Sequence, residues 1–510
     1  MVMLPDVAAG KQDSLTGIKV AAIGAGSFLD SLVAALMKTG FDQIYTVVID
    51  SSSESEHVTS WHKLVRPADW ILYVSQQFDP EEIRAIDTAC REEGKSLLVA
   101  TYIGQFGIAG PMVRPDSEAS WDSAWRRLHR SAVGEDQMDS IASMAVLPML
   151  ANLLVIDMHR AITGLTEPLL SDRIFMLDLN TLEGSYHSLM PRPLAVSSIA
   201  IEQIDPIEAA TRQSNDRASD SEAFMTFMQR ITSPRTGILH LWDEGDLTQL
   251  PISQCRAQAA DPLSEGPADL LPLIIRSGLT HWEARKEAAL AAIKDYVSVM
   301  LDHTDYPGKA DLMGSMEVGA GETAAEAVHR GLSKCLEKLL RTRKSEGELA
   351  IVKAESGHVE DSRCRFYLKA LKTMQHDLSF GLGEELFGLP VIWAGTRDGW
   401  YGSPGINKTA AIRSALQQIL HIAQNPFLKP LLQYGDQIDL LIKQAPSAVP
   451  QIIDALSENA DLTEDLTEAF RILKRNGARV VIYRITVEPD LNSLPGYLYG
   501  IMLEKEAPPV

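Results

Sequence analysis

Cysteine is scarce in this chain: Cys90, Cys255, Cys335 and Cys364 are the only four in 510 residues, widely scattered, with no CxxC. That excludes a cysteine zinc site and a disulfide framework, and it fits a reduced, cytoplasmic protein. Basic excess is missing too. Lys and Arg number 47 against 68 Asp and Glu, a net charge of −21, so the chain has no surplus to displace counterions from nucleic acid, and no such partner is expected. Long apolar runs are also lacking. Residues 1–17 have no signal-peptide core, and the most apolar stretch, Met144 to Met158, is broken by Pro148, Asn152 and Asp157. It reads as a buried helix, and no membrane association is expected. What remains is ordinary: 45% hydrophobic and 23% charged residues describe a globular chain whose length suits two to four domains.

The most informative stretch is Ile18 to Asp50, IKVAAIGAGSFLDSLVAALMKTGFDQIYTVVID. A short apolar run, Ile18 to Ile23, suits a strand buried on both faces. Gly24-Ala25-Gly26 makes a tight turn, and helical spacing follows in Phe28, Leu29, Leu32, Val33, Leu36 and Met37, ending near Gly40. A second strand, Ile44 to Ile49, closes on Asp50. Such a βαβ unit gathers backbone N–H groups and a helix N-terminus where a phosphate can sit, and an acid at the second strand's end can hold a ribose hydroxyl. Gly24, Gly26 and Asp50 are therefore candidate nucleotide contacts. Leu29 stands where the third glycine of GxGxxG would fall, so the glycines also suit a turn kept only as scaffold.

Further strands are expected at Asp69–Ser75, Ser96–Tyr102 and Phe106–Val113, with a Pro80-initiated helix ending at Gly94 and a helix over Ser120–His129. A long apolar helix, Ser140 to Thr163, then leads to a hairpin, DRIFMLDLN and SYHSLMPRP, that closes a first domain near Pro193. The remainder has a different grammar. Ile204–Arg230 reads as helix, Thr236–Trp242 and Pro251–Ala257 as strands, and His281–Asp302 as an amphipathic helix. Two stretches share one pattern, a glycine-bearing strand end, a cap and an Ala-rich helix: GAGETAAEAVHRGLSKCLEKLLR from Gly319, and GSPGINKTAAIRSALQQILH from Gly402. In the first, Thr323 and Glu326 form a capping box; in the second the cap is Asn407 or Thr409. The repetition suggests an internal duplication. A helix over Leu462–Asn476 and two strands, ARVVIYRIT and GYLYGIMLE, complete the chain.

The first half resembles the ThiF/MoeB superfamily of adenylating, ubiquitin-activating-type enzymes, through IGAGSFLDSLV, VVID and the helix-hairpin tail. The second resembles YcaO-type cyclodehydratases through the two glycine-strand-helix stretches. Together they are similar to the ocin-ThiF-like proteins, also called putative thiazole-containing bacteriocin maturation proteins. The resemblance implies an α/β fold with a lead-in (1–17), a ThiF-like Rossmann domain (18–195) and an α/β YcaO-like domain (196–510). It implies a leader-peptide partner, a YcaO-type cyclodehydratase partner, a homodimer, and ATP with magnesium as cofactor.

Departures from both patterns shape the functional expectation. Activating enzymes follow the ribose-binding acid with an Arg and a Gln that clamp the triphosphate; here SSSESEHVTS follows Asp50, with no arginine before Arg66. Their magnesium-binding Asp after the next strand has only Gln76, Gln77 and a bent-back Asp79 as counterparts. Phosphoryl chemistry needs positive charge and a metal on the phosphates. In the YcaO-like part, Glu337 matches the first of a glutamate pair, Leu340 stands for the second, and Gln417 or Gln418 replaces a later glutamate, an amide that brings no charge to a hard cation. The chain ends in EAPPV rather than an alternating-proline tail, and only 17 residues precede the first strand, where a peptide-recognition domain is common. The reading is therefore a non-catalytic partner in peptide maturation, with Gly24, Gly26, Asp50 and Glu337 as vestigial nucleotide contacts. An active ATP-dependent enzyme and a purely structural subunit stay open. Asp398, Gly399, Trp400 and Tyr401 form an aromatic turn suited to peptide contact. His57, His62, Asp157 and His159 are lesser polar candidates, and Trp121 and Trp125 are packing or interface residues.

Overall fold

The computed structural model describes residues 15, 17–49, 61–117, 120–134, 145–190, 199–212, 221–305, 316–346, 350–397, 399–426, 441–443, 451–455 and 462–505. Asp50, His57 and Asp398 lie outside them. The chain divides into two compact units: residues 1–194, 231–240 and 263–270 form the first, and 195–230, 241–262 and 271–510 the second.

In the first unit, β1 (Lys19–Gly24), α1 (Gly26–Thr39), β2 (Gln43–Val48), α2 (Trp61–Val65), β3 (Trp70–Ser75), α3 (Pro80–Glu92), β4 (Ser96–Ile103), β5 (Phe106–Ala109), α4 (Trp121–Arg127), α5 (Arg130–Val133), α6 (Val146–Thr163), β6 (Arg173–Asp178) and β7 (Gly184–Ser188) follow in order. The sheet runs β2-β1-β3-β4-β5-β6-β7. Its first four strands are parallel, and β5 to β7 are antiparallel. Strand residues alternate between two cores. Val20, Ala22, Leu72 and Val74 pack with Phe28, Leu32, Leu36 and the α6 residues Leu150 and Leu154. Ala21, Ile23, Ile71 and Tyr73 pack on the other side with Ile83, Ile86 and Trp121. A continuous apolar run is required because both faces are covered.

Local signals behave as their chemistry dictates. Asp79 accepts the N–H groups of Glu81 (2.9 Å) and Glu82 (3.1 Å) ahead of Pro80, and Gly94 takes a left-handed φ of 67° after the helix. Trp121 and Trp125 pack on Phe78, with ring centroids 5.7 and 4.5 Å away. The helix expected from Ser140 is described from Val146. At 18 residues α6 is long and apolar enough to cross a membrane by composition, which the broken Met144–Met158 run did not suggest. Here seven of its residues, including Leu150, Leu154 and Met158, are buried in the unit's core.

Segments 231–240 and 263–270 join this unit by pairings with no local signature. The His129 N–H donates to the Arg235 carbonyl at 2.8 Å, and the Ala268 N–H to that of Leu128 at 2.7 Å. The Arg235 guanidinium lies 4.5 Å from the Phe106 ring centroid and donates to the Ala132 carbonyl at 2.7 Å.

The remaining elements, which belong to the second unit apart from Ile231 of α8 and Leu239 and His240 of β9, run β8 (Ala200–Ile204), α7 (Pro206–Thr211), α8 (Ser221–Ile231), β9 (Leu239–Asp243), β10 (Ser253–Ala259), β11 (Ile274–Gly278), α9 (His281–Asp302), β12 (Glu317–Gly321), α10 (Ala324–Glu346), β13 (Ala350–Val359), α11 (Ser362–Thr373), β14 (Ser379–Leu382), β15 (Val391–Thr396), β16 (Gly399–Pro404), α12 (Lys408–Gln424), β17 (Leu441–Lys443), β18 (Gln451–Ala455), α13 (Leu462–Arg475), β19 (Ala478–Thr486), α14 (Pro489–Asn492) and β20 (Tyr497–Lys505). They build sheets ordered β11-β10-β9, β12-β20-β19-β8 and β16-β15-β14-β13-β17, with β18 also on β13. Three expectations change here. Ile204–Arg230 is not one helical run: Ile204 ends β8, paired with β19, and α7 and α8 are separate. The strand expected from Thr236 begins at Leu239. Gly399, Trp400 and Tyr401 are not a turn but the start of β16, paired along β15 from Thr396↔Gly399 to Val391↔Pro404.

Candidate functional site

The two glycine-strand-helix stretches converge on one cavity of the second unit, about 490 Å³ in volume. Their glycines explain the tight junctions. A Cβ on Gly319 would sit 2.0 Å from the Ala327 carbonyl oxygen, and one on Gly405 would sit 2.5 Å from the Ala411 nitrogen. Only a bare backbone lets each strand end run against the first turns of its helix. The caps then fix the helices. Thr323 Oγ1 accepts the Glu326 N–H at 3.1 Å, and Asn407, not Thr409, caps α12 by accepting the Ala410 N–H at 2.8 Å. The Glu326 carboxylate takes the N–H of Glu322 at 3.1 Å rather than that of Thr323, so the capping box is displaced by one residue.

Each helix turns a stripe at three- and four-residue spacing toward the cavity. From α10 come Arg330, Lys334, Glu337, Leu340 and Arg341; from α12, Arg413, Gln417 and Gln418. Glu287 and Lys294 of α9, Arg276 of β11, Glu317 of β12, and Trp393, Trp400 and Tyr401 also line it. Glu337, Trp400 and Tyr401, which sequence reasoning had set apart as nucleotide and peptide contacts, thus line the same space. Trp393 and Tyr401 are buried, and the buried Tyr401 hydroxyl has no hydrogen-bond partner among the described residues.

The electrostatics of the cavity centre on Glu337. Lys334 Nζ lies 2.7 Å from its carboxylate. Burial alone would raise the Glu337 pKa, but Lys334, with Arg341 and Arg276, outweighs it and holds the carboxyl below the usual range. Glu287 is paired with Arg330 at 2.6 Å, and Glu317 with Lys338 at 3.2 Å. Arg413 reaches out of the cavity to Asp361 at 2.5 Å. Gln417 donates to the Ser277 carbonyl at 3.3 Å. Buried His421, beside Arg276, has its pKa pushed down to about 3, chiefly by burial. This donor set does not fit magnesium. A hard divalent cation needs several oxygen ligands, usually with carboxylates among them. Among the described residues no group of three His, Cys, Asp or Glu side chains is placed to hold a metal.

The Rossmann turn of the first unit offers less. A Cβ on Gly24 would meet the Val74 carbonyl oxygen at 2.3 Å, so this glycine is required by the approach of β3. Gly26 has a φ of 54° with open space around it. No side chain caps α1 at Ala25. Gln76 Nε2 reaches Ser27 Oγ at 3.4 Å, and the Asp79 carboxylate is occupied at the N-terminus of α3. Asp157 is buried and accepts the N–H groups of Leu169 (2.7 Å) and Leu170 (2.8 Å), a structural bond across the α6–β6 connection. His159 stands two residues on, half-buried, its pKa lowered by burial. His62 lies near Glu92 and Glu93 at 3.3 and 3.4 Å.

No protein-family model matches the chain, and no curated protein matches its sequence. Solved structures do. A heterocyclase in complex with substrate and cofactor aligns over 96% of this chain and 81% of its own, at 13% identity and a TM-score of 0.62. The fold is a heterocyclase fold. The heterocyclase TruD aligns over 96% of this chain and 79% of its own, at 14% identity and a TM-score of 0.54.

Proposed function

We propose that this chain is a non-catalytic partner in the maturation of a thiazole- or oxazole-containing ribosomal peptide, docking the precursor peptide, its YcaO-type cyclodehydratase, or both. The heterocyclase fold supports the pathway, since it extends over nearly the whole chain. One observation carries the non-catalytic part. The two motif helices meet at one cavity, yet α10 and α12 bring a single carboxylate to it, Glu337, and that one is held by Lys334. Where metal-assisted amide activation needs anionic oxygens around magnesium, these helices present Leu340, Gln417 and Gln418, and the cavity's other two carboxylates, Glu287 and Glu317, are engaged by Arg330 and Lys338.

The test is fluorescence anisotropy of labelled precursor peptide from the same gene neighbourhood, titrated with this protein alone and then with the neighbouring cyclodehydratase. Saturable binding by this chain alone, or binding that tightens when both proteins are present, is the expected result. No change in either titration would overturn the docking role. Turnover of Mg-ATP by this chain, abolished by Glu337→Ala, would overturn the non-catalytic one.

A further inference from the structure

A different cavity of the second unit, about 480 Å³ in volume, shares no lining residue with the cavity of α10 and α12. It lies where β19 ends, β20 begins and α14 joins them, with Arg212, at the end of α7, also lining it. Strand register sets its floor. Arg484 stands opposite Tyr499 of β20 and opposite Glu202 of β8, so the three share one face of the sheet. Tyr497, two residues before Tyr499, is on the same face, with ring centroids 6.0 Å apart and planes 30° from parallel. The rim is held in place: Asn492 accepts the Val487 N–H at 3.0 Å and donates to the Val487 carbonyl at 2.8 Å. Leu491, Leu494 and Leu498, all buried, add an apolar side. Charge here is sparse and of one sign, because Arg212 and Arg484 are the only Lys, Arg, His, Asp or Glu residues that line the cavity among the described residues. Arg212 makes no hydrogen bond or ion pair among the described residues. Arg484 lies 3.2 Å from Glu202, whose side chain is 70% exposed, a contact that water screens. Tyr499 is 1% exposed, and its hydroxyl has no hydrogen-bond partner among the described residues. Burial raises its pKa; Arg212 and Arg484 act against burial, Tyr497 and Glu208 with it. Both guanidinium charges are thus felt at one buried hydroxyl.

We infer that this cavity binds a monocarboxylate carrying an apolar group, with Arg212 and Arg484 on the carboxylate and the leucines around the apolar part. Guanidinium forks match the two oxygens of a carboxylate. The charge count favours a monoanion: Arg212 and Arg484 less Glu202 leave one positive charge, enough for a carboxylate and too little for a phosphate dianion. A buried hydroxyl is ordinarily hydrogen-bonded, and the Tyr499 O–H would donate to a carboxylate oxygen seated between the guanidiniums. The apolar side formed by Leu491, Leu494 and Leu498 gives an aliphatic group a place out of water. The volume of about 480 Å³ falls in the range of small-ligand pockets. A free N-acyl amino acid and the last residue of a peptide both present this chemistry.

Such a ligand needs neither precursor nor partner enzyme, so the site stands apart from peptide docking. The experiment is a ligand-observed NMR titration of the full chain at low salt with N-acetyl-leucine, N-acetyl-leucine amide and acetate. N-acetyl-leucine should bind saturably. The amide and acetate should each bind at least about tenfold more weakly, the first for want of the charge and the second for want of the apolar group. The Arg212→Ala/Arg484→Ala double variant should lose at least about tenfold in affinity for the acid and leave the amide unchanged, while Glu202→Gln, which releases Arg484, should bind the acid more tightly. Arg212 is exposed, so Arg212→Ala alone keeps the fold and should still lose at least about threefold. A precursor peptide that displaces N-acetyl-leucine with a free C-terminal carboxylate, but not as its C-terminal amide, identifies a peptide end as the ligand; displacement by neither form identifies a free acid. No saturable binding of N-acetyl-leucine, an amide that binds as tightly as the acid, arginine variants that bind like the parent, or inorganic phosphate that binds more tightly than the acid would each overturn the inference.

Discussion

Replacing His129 by Gln should make the first unit less sensitive to acid, and the size of the effect follows from two bonds. His129 is completely buried. Its Nε2 lies 2.8 Å from the Gly237 carbonyl oxygen, which can only accept, so Nε2 carries the proton. Its Nδ1 is then an acceptor, and His240 Nδ1, 3.0 Å away, must donate to it. A second proton on His129 would set N–H against N–H at a buried position. Burial, with His240 and Arg127 adding repulsion, pushes the His129 pKa down to about 4. Unfolded, the imidazole titrates near 6.5, so between those values the unfolded chain binds more protons and stability rises with pH. Stability from the neutral pair is complete above about pH 6.5 and is lost as pH falls toward 4. Taken from pH 7 to pH 5, His129 alone costs about 2 kcal/mol, or about 4–8 °C in the unfolding temperature of a unit this size. Calorimetric scans at both pH values read the difference. The parent should lose that much more than His129→Gln between pH 7 and pH 5. Equal losses in parent and variant would refute the tautomer assignment and the reasoning from it.

Three further perturbations test the packing that positions these units. Gly24→Ala places a methyl 2.3 Å from the Val74 carbonyl oxygen and should destabilise the first unit by about 1–3 kcal/mol; an unchanged unfolding temperature would show that β1 and β3 can separate freely. Asp361, 4% exposed, caps α11 through the Cys364 N–H at 2.8 Å and binds Arg413 at 2.5 Å. Asp361→Ala should cost about 2–3 kcal/mol by removing the α11 cap and the carboxylate that binds half-buried Arg413, and a urea titration showing less than about 1 kcal/mol would contradict that. Tyr296 donates to the buried Glu488 carboxylate at 2.6 Å. Tyr296→Phe should cost about 1–3 kcal/mol by leaving that acceptor short of a donor, checked by the same titration.

The legible parts of this protein were the ones with local causes. Val20 to Ile23 must be apolar throughout because successive side chains enter opposite cores, and Asp79-Pro80 and Gly94 bracket α3 by their own backbone and capping chemistry. The βαβ start, the long α9 and the paired α10 and α12 patterns could therefore be read from spacing alone, and the convergence of Glu337 with a second motif helix was implied by the resemblance. What no window of sequence contained were pairings between distant segments. The ladder that makes Trp400 and Tyr401 a strand comes from β15, β11 exists because β10 pairs with it, and His129 finds His240 across 111 positions. The fates of the carboxylates were also undecided in sequence, because a carboxylate binds whichever donors folding brings to it. Asp79 and Asp157 went to backbone N–H groups, and Glu337 went to Lys334. Composition determined an acidic chain; only the tertiary structure gathered Arg276, Lys334 and Arg341 from β11 and α10 into one positive cavity, since charge density depends on distances in space and not along the chain.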